Sequence, residues 1–131
     1  MAKKTILYVE DSSTLVNMVK YYFESEGYVV LSAENVDDAI AIINKLQKID
    51  LFLLDIVLRG THKTGYNLVK EIRSHEIYQD IPVIITSSRD AKRSEITALR
   101  AGASMFIPKP YDLDELYGHV EKLINESKKR F

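Results

Sequence analysis

The chain has 131 residues, 46% of them hydrophobic and 28% charged, which is the size and balance of one ordinary globular domain. Its 18 basic and 19 acidic side chains give a formal net charge of -1, whereas a nucleic-acid-binding face is strongly basic, so we expect no nucleic-acid partner. The absence of cysteine excludes disulfides, thiolate catalysis and cysteine-ligated zinc.

The chain also has no apolar run near the roughly 20 residues that are needed to cross a bilayer. Met1 to Lys4 leads directly into a strand-like run, without the apolar core of a signal peptide. We therefore expect a cytoplasmic location and no membrane partner.

Five short apolar runs, rich in branched residues, predict β-strands. Most of them are apolar at nearly every position, which is typical of strands that are covered on both faces. The runs are residues 6–10, 28–33, 51–56, 82–86 and 105–107.

Five segments with apolar residues at helical spacing alternate with these runs and predict α-helices. Gly27 and Gly102 indicate helix ends, Asn35 is a candidate N-cap, and Asp112 with Glu115 resembles a capping box. In chain order the apolar positions are Leu15, Met18, Val19, Tyr22 and Phe23; Val36, Ala39, Ile40 and Ile43; Leu68, Val69 and Ile72; Ile96 and Leu99; and Leu113, Leu116, Tyr117, Val120, Leu123 and Ile124.

The regular alternation of strands and helices predicts right-handed βαβ units and a parallel sheet with helices on both faces. No repeat, low-complexity stretch or linker divides the sequence. We expect one α/β domain over residues 1–131, with its core at about 4–127.

Polar residues lie at the carboxyl ends of four predicted strands: Glu10 and Asp11 after the first, Asp55 at the end of the third, Ser87 after the fourth and Lys109 after the fifth. Ligands of open α/β sheets bind at this edge. If the first and third strands are neighbours, the three carboxylates converge, and they cannot all stay ionised without a compensating cation. Hard oxygen ligands favour Mg2+ over zinc.

Simpler interpretations exist for several of these residues. Asp11 could serve only as a helix N-cap, and Lys109 could be a solvated surface lysine between Pro108 and Pro110. Asp55 follows four apolar residues, where an unpaired charge is costly, so a purely structural role is harder to argue. The three histidines, His62, His75 and His119, stand in isolated loop or helix contexts that do not indicate metal or acid–base roles.

Taken together, these pieces resemble the receiver domains of two-component response regulators over essentially the whole chain. The matching segments are YVEDS at 8–12, LLDIVL at 53–58, IPVIITSS at 81–88, AGAS at 101–104 and PKP at 108–110. The resemblance implies a flavodoxin-like (βα)5 fold, a doubly wound parallel five-stranded sheet of strand order 2-1-3-4-5.

The resemblance also implies roles for individual residues. Asp55 would be the phospho-acceptor, and a Mg2+ ion would be held by Glu10, Asp11, Asp55 and the backbone carbonyl of Val57. The hydroxyl and the amine that contact the phosphoryl group would come from Ser87 and Lys109, the latter through a cis peptide bond to Pro110. The aromatic residue that changes rotamer with Ser87 on activation would be Phe106, outward without phosphate and inward with it.

A receiver of this kind is a phospho-acceptor with slow chemistry of its own rather than an enzyme. Its expected partners are a sensor histidine kinase or phosphotransfer protein, and a downstream protein or output domain that responds to the face formed by the fourth helix, fifth strand and fifth helix. Phosphorylation could also produce a homodimer.

Three other functions fit the sequence less well. A pseudo-receiver, which acts only as an interaction module, usually lacks an acid, the acceptor or the lysine, and none is missing here. A haloacid-dehalogenase-type phosphatase needs a second acid two residues after its nucleophile, where this chain has Val57. A dinucleotide enzyme needs a glycine-rich turn after the first strand, where this chain has residues 10–13, EDSS.

Overall fold

Five β-strands alternate with five α-helices in a computed structural model that describes residues 3–56, 64–88 and 91–129. No helix among these residues is long and apolar enough to cross a membrane. In chain order the elements are β1 (Thr5–Val9), α1 (Ser13–Ser25), β2 (Val29–Ala33), α2 (Val36–Ile43), β3 (Leu51–Asp55), α3 (Gly65–Ser74), β4 (Val83–Ser87), α4 (Ala91–Ala101), β5 (Met105–Pro108) and α5 (Leu113–Lys129).

All neighbouring strands are parallel, and the sheet order is β2-β1-β3-β4-β5. The predicted flavodoxin-like fold with strand order 2-1-3-4-5 is thus confirmed. Strand β1 lies between β2 and β3, because Val9 pairs with Ala33 of β2 and with Leu54 of β3. The ends of β1 and β3 therefore lie side by side.

Alternate residues of the inner strands supply two apolar layers, one on each face of the sheet. In β1, Leu7 and Val9 pack under α2, α3 and α4, whereas Ile6 and Tyr8 pack under α1 and α5. This alternation explains why the strands are apolar at nearly every position, as the sequence indicated.

Most of the predicted helix ends are correct. The Asn35 side chain accepts a hydrogen bond from the backbone N–H of Asp38 at 2.8 Å, and Asp112 Oδ1 accepts one from Asp114 at the same distance. Gly27 and Gly102 have φ of 92° and 115°, a region that other residues rarely adopt.

Some of the apolar residues that marked α1 and α4 in the sequence are not buried. Met18 of α1 and both apolar markers of α4, Ile96 and Leu99, are about half exposed. Toward the sheet, α4 instead presents the small residues Ser94 and Ala98. Helical spacing located the helix, but it could not show which face packs when the buried side is made of small side chains.

Arg73 at the end of α3 ties together the two loops at the opposite edge of the sheet from the strand carboxyl ends. Its Nε donates to the carbonyl of Gly102 at 3.0 Å, where α4 ends. Its Nη1 donates to the carbonyls of Gln79 and Ile81 at 3.0 and 2.6 Å, and its Nη2 to Ser104 Oγ at 3.4 Å. One planar guanidinium thus satisfies carbonyl groups of two loops that have no strand or helix partner.

We predict that Arg73→Lys lowers the free energy of unfolding by about 2 kcal/mol, because a single ammonium cannot replace the forked contacts and leaves carbonyls unsatisfied. Urea denaturation of the two proteins measures the difference. Arg100→Lys, at an exposed position of α4, is the matched control and should change stability little. Equal losses in the two variants would contradict this role of Arg73.

Candidate functional site

Three carboxylates converge where β1 and β3 end. Glu10 and Asp11 follow β1, Asp55 is the last residue of β3, and one oxygen from each lies within 4.8 Å of the others. Glu10 is 1% exposed and Asp55 6% exposed, while Asp11 is half-buried. The condition that the sequence left open, that the first and third strands are neighbours, is met.

The lysine that follows β5 reaches into this group of acids. Lys109 Nζ donates to Glu10 Oε1 at 2.6 Å and to Asp55 Oδ2 at 3.2 Å, and its side chain is 16% exposed. The interpretation of Lys109 as a solvated surface lysine is therefore wrong. The Lys109–Pro110 peptide bond is cis, as the resemblance implied.

Burial and charge act in opposite directions on the Glu10–Lys109 pair. Burial raises the pKa of Glu10, and the negative charge of Asp55 adds to this, while the hydrogen bond from Lys109 offsets part of the rise. Burial alone would lower the pKa of Lys109, but the hydrogen bond to Glu10 and the charges of Asp55 and Glu10 outweigh it, so this pKa is raised. The ammonium therefore stays protonated and acts as a built-in counter-charge to the acids.

The turn between β1 and α1 shows that capping is not the task of Asp11. Ser12 is the N-cap of α1, and its Oγ accepts a hydrogen bond from the backbone N–H of Leu15 at 3.3 Å. The backbone N–H of Ser12 in turn donates to Glu10 Oε2 at 3.2 Å, which orients the Glu10 carboxylate. The N-cap interpretation of Asp11 is wrong, and its place among the metal ligands stays a prediction.

Ser87 and Phe106 lie on the two strands beyond β3. Ser87 ends β4, is buried, and its carbonyl accepts a hydrogen bond from the backbone N–H of Lys109 at 2.9 Å. Phe106 in β5 is 8% exposed and packs in the apolar layer beneath α2, α3 and α4. The structure has the inward orientation of Phe106, so the expected exchange between two orientations stays a prediction.

Some predicted residues lie outside this group or outside the described residues. Among the described residues, His75 and His119 belong to no group of potential metal ligands. Val57, with its proposed ligand carbonyl, and His62 lie outside the described residues.

Gly65 at the start of α3 is a residue of the site that was not predicted from the sequence. A Cβ at this position would lie 2.5 Å from the carbonyl oxygen of Asp55, a distance that no real side chain tolerates. The Gly65 N–H also donates to the carbonyl of Ile56 at 3.0 Å. Glycine therefore lets α3 begin directly against the end of β3. A single glycine before a helical pattern was the available signal, but it does not reveal what comes close to it.

A second omission is a pair of tyrosines beside the acids. The hydroxyl groups of Tyr8 in β1 and Tyr111, two residues after Lys109, are 3.0 Å apart. Burial is the main cause that raises the pKa of each phenol, and the charges of Glu10 and Asp55 add to it. Tyr8 was counted as strand core, because its apolar ring fits the strand pattern and its hydroxyl has no sequence signature.

The donor set fits a hard divalent cation. Glu10, Asp11 and Asp55 offer carboxylate oxygens close together, with no nitrogen or sulfur ligand in the group, which is the chemistry that Mg2+ prefers. A cation held there would share Glu10 and Asp55 with the Lys109 ammonium.

The comparison with known protein families decides the classification. The family model of the response regulator receiver domain matches residues 6–121. The chain belongs to this family.

Individual relatives agree with this assignment. The receiver shares 34% identity over 127 residues with the phosphate regulon transcriptional regulatory protein PhoB of Pseudomonas aeruginosa, covering 97% of the chain and 54% of PhoB. It shares 32% identity over 124 residues with the response regulator SaeR of Staphylococcus aureus, covering 95% of the chain and 52% of SaeR. The chain thus spans about half the length of these curated relatives.

Solved structures show the same fold. NtrX from Brucella abortus superposes with a TM-score of 0.88 at 30% identity, over 98% of this chain and 28% of that one. A CheY-like receiver domain protein from Methanospirillum hungatei superposes with a TM-score of 0.88 at 25% identity, over 99% of this chain and 100% of that one.

We predict that Glu10→Gln raises the free energy of unfolding at pH 7, by about 1 kcal/mol, the usual size of a single-site effect. The folded protein binds the Glu10 proton more tightly than the unfolded chain. The stability that this proton provides is fully present below the pKa of Glu10 in the unfolded chain. It is lost as the pH rises through the higher pKa of Glu10 in the folded protein. Urea denaturation from pH 4 to 8 with chelator present measures the effect.

As the pH rises above the pKa of an ordinary glutamate, the free energy of unfolding should therefore fall less in the variant than in the wild type. Glu24→Gln, at an exposed position of α1, is the control and should follow the wild-type profile. A Glu10→Gln variant that is less stable than the wild type at pH 7 would contradict the prediction. It would show that the contact with Lys109 fully offsets the cost of burying the charged Glu10 carboxylate.

Proposed function

We propose that this receiver is a phospho-acceptor switch that takes a phosphoryl group on Asp55 from a histidine kinase, a phosphotransfer protein or a small phosphodonor. The observation that carries the proposal is the contact of Lys109 with both Asp55 and Glu10 inside a cluster of three acids. The Asp55 carboxylate lies at the carboxyl end of a strand, beside a fixed ammonium and a group of oxygen ligands that suits a divalent cation. Positive charge at this place favours attack of the carboxylate on a phosphoryl group. We expect stoichiometric acceptance with slow turnover rather than an enzymatic cycle.

In the transfer step an Asp55 carboxylate oxygen forms a bond to phosphorus while the bond from phosphorus to the donor breaks. When the donor is phosphohistidine with its other ring nitrogen protonated, the nitrogen that held the phosphoryl group keeps the electron pair of that bond, and the histidine leaves as neutral imidazole. Lys109 offsets the charge of the transferring phosphoryl oxygens, and the Ser87 hydroxyl donates to one of them after transfer. Glu10, Asp11 and Asp55, with the Val57 carbonyl as a further predicted ligand, would hold a Mg2+ ion, which would supply additional positive charge.

The main alternative is a pseudo-receiver that never takes phosphate. Proteins of that kind usually lack one of these acids or the lysine, whereas this chain keeps Glu10, Asp11, Asp55 and Lys109. The contact of Lys109 with Asp55 favours the active receiver, since an ammonium buried there serves the acceptor carboxylate directly.

The output would be read on the face that α4, β5 and α5 form. Ile96 and Leu99 are exposed on α4, and a groove beside β5 and α5 is lined by Pro108, Tyr111 and His119 among others. Exposed apolar side chains of this kind suit a protein partner, an output domain or a second copy of the chain. PhoB is a transcriptional regulatory protein of about twice this length, so an output domain is a reasonable partner for this receiver.

We predict that Asp55 accepts one phosphoryl group from acetyl phosphate in the presence of Mg2+. Intact-mass analysis should show a single addition of one phosphoryl unit, and peptide mapping should place it on Asp55. Asp55→Asn should lose the addition, because an amide is not a competent nucleophile.

Asp50→Asn is a matched control, since Asp50 lies outside the acidic cluster and accepts a hydrogen bond from the Thr5 N–H at 2.7 Å. It should label as the wild type does. An Asp55→Asn variant that labels at the wild-type level would overturn the acceptor assignment, and a wild type that never labels would favour the pseudo-receiver.

We further predict that Ser87→Ala separates phosphoryl uptake from output. The variant keeps Asp55 and Lys109, so uptake of beryllofluoride, a phosphoryl mimic, is largely retained. Without the hydroxyl, the bound mimic no longer biases the position of β5 and Phe106, because a ligand shifts an equilibrium only by its differential affinity for the two states. Amide chemical-shift mapping with and without beryllofluoride makes the comparison.

In the wild type we expect shifts near Asp55 and also along residues 92–112, together with tighter partner binding or dimerisation. In Ser87→Ala only the first group of shifts should remain. Ser94→Ala, which removes another buried hydroxyl, is the control and should behave as the wild type. Wild-type shifts confined to the neighbourhood of Asp55 would show that the receiver does not signal through this face.

A further inference from the structure

The hydroxyl pair of Tyr8 and Tyr111 connects the strand that carries Glu10 to the segment that carries Lys109. Tyr8 lies two residues before Glu10, in the inner strand β1, and is fully buried. Tyr111 lies two residues after Lys109, between β5 and α5, and is half-buried. Their hydroxyl oxygens are 3.0 Å apart, across a sequence separation of 103 residues.

A phenylalanine would fill the space of the Tyr8 ring just as well, so packing alone does not account for a hydroxyl there. Burying a hydroxyl without a partner costs free energy, and Tyr111 provides the partner. This bond therefore links the strand that carries Glu10 to the segment that carries Lys109, which is more than core filling requires.

The backbone around Lys109 is fixed on both sides. On the N-terminal side, the backbone N–H of Lys109 donates to the Ser87 carbonyl at 2.9 Å, which ties Lys109 to β4. After it comes Pro110, which has no N–H to donate, so the next side-chain anchor along the chain is Tyr111. The hydroxyl pair thus supplies the second anchor and ties the same segment to β1.

We propose that Tyr8 and Tyr111 are positioning residues for Lys109: their mutual hydrogen bond holds the segment between β5 and α5 so that the ammonium stays on Asp55 and Glu10. The inference rests on the proposed function, since it concerns the lysine that serves phosphoryl uptake. Neither tyrosine needs to touch the phosphoryl group. The two tyrosines act by keeping the Lys109 ammonium in contact with Glu10 at 2.6 Å and with Asp55 at 3.2 Å.

The test removes one hydroxyl at a time and keeps both rings. In Tyr8→Phe and in Tyr111→Phe, the rate of Asp55 phosphorylation by acetyl phosphate with Mg2+, followed by intact mass, should fall about fivefold, the effect of one neutral hydrogen bond. The double variant should be no slower than the slower single variant, because both changes break the same bond.

Dependence on Lys109 separates positioning from a general structural effect. In a Lys109→Ala background, where labelling is slower and a higher donor concentration is used, adding Tyr8→Phe should change the rate by less than twofold. In the wild-type background, NMR signals of the Lys109 side-chain methylene next to the amine should shift in Tyr8→Phe. Both readouts follow the lysine itself rather than overall stability.

Tyr28→Phe is the matched control. The Tyr28 hydroxyl donates to Glu121 at 2.5 Å, and the Tyr28 ring packs in the same apolar layer as Tyr8. This bond, however, joins the residue before β2 to α5, away from the acids. It should leave both the labelling rate and the Lys109 signals unchanged.

The outcomes are distinct from those that test the proposed function. A wild type that takes up no phosphoryl group would refute the proposed function itself. A wild type that labels, with Phe variants that label equally fast or that remain slower in the Lys109→Ala background, would refute only the positioning role. Should Tyr8→Phe fail to fold, the half-buried Tyr111→Phe carries the same test.

Discussion

The rest of this structure depends on the charge balance between three carboxylates and one ammonium at the carboxyl ends of the strands. Glu10 and Asp55 are nearly buried, and like charges at that separation in a poorly hydrated place repel strongly. The hydrogen bonds between β1 and β3 force the two acids together, so the repulsion cannot be relieved without breaking the sheet. Lys109 supplies the compensation, and it comes from the edge strand β5, across β4.

The positions of most side chains in the site are fixed by the backbone of the sheet. The three acids, Ser87 and Lys109 each lie at the end of a strand or within two residues after it. The strands are buried on both faces, so these side chains start from rigid positions. Gly65 lets α3 begin in contact with the end of β3, and Ser12 directs a backbone N–H at Glu10. The site is thus held mainly by main-chain geometry, and Lys109 is the long, flexible member that needs further support.

The sequence predicted the fold well because its information is local. Strands covered on both faces, glycines at helix ends and an asparagine cap each leave a mark within a few residues. The convergence of Glu10 and Asp55 was predicted only on the condition that the first and third strands pair, since residue order does not give strand order. The resemblance to a known family supplied that order, and the structure confirmed it.

What the sequence could not predict depends on contacts between distant residues. The partner of the Tyr8 hydroxyl is 103 residues away, and the close approach at Gly65 involves the Asp55 carbonyl rather than any side chain. The outward orientation of Ile96 and Leu99 also escaped prediction, because the buried face of α4 consists of small residues that have little hydrophobic signal.

The same small residues bear on how a change at Asp55 can reach a partner. α5 buries Leu116, Val120 and Ile124, whereas α4 buries only Ser94 and Ala98 among its described side chains. Since hydrophobic stabilisation scales with buried apolar area, at about 25 cal/mol per Å2, a shift of α4 sacrifices much less than a shift of α5. Arg73 holds the far end of α4 at Gly102. A displacement of β4 by a phosphoryl group would therefore meet the least resistance along α4, where the exposed apolar side chains lie.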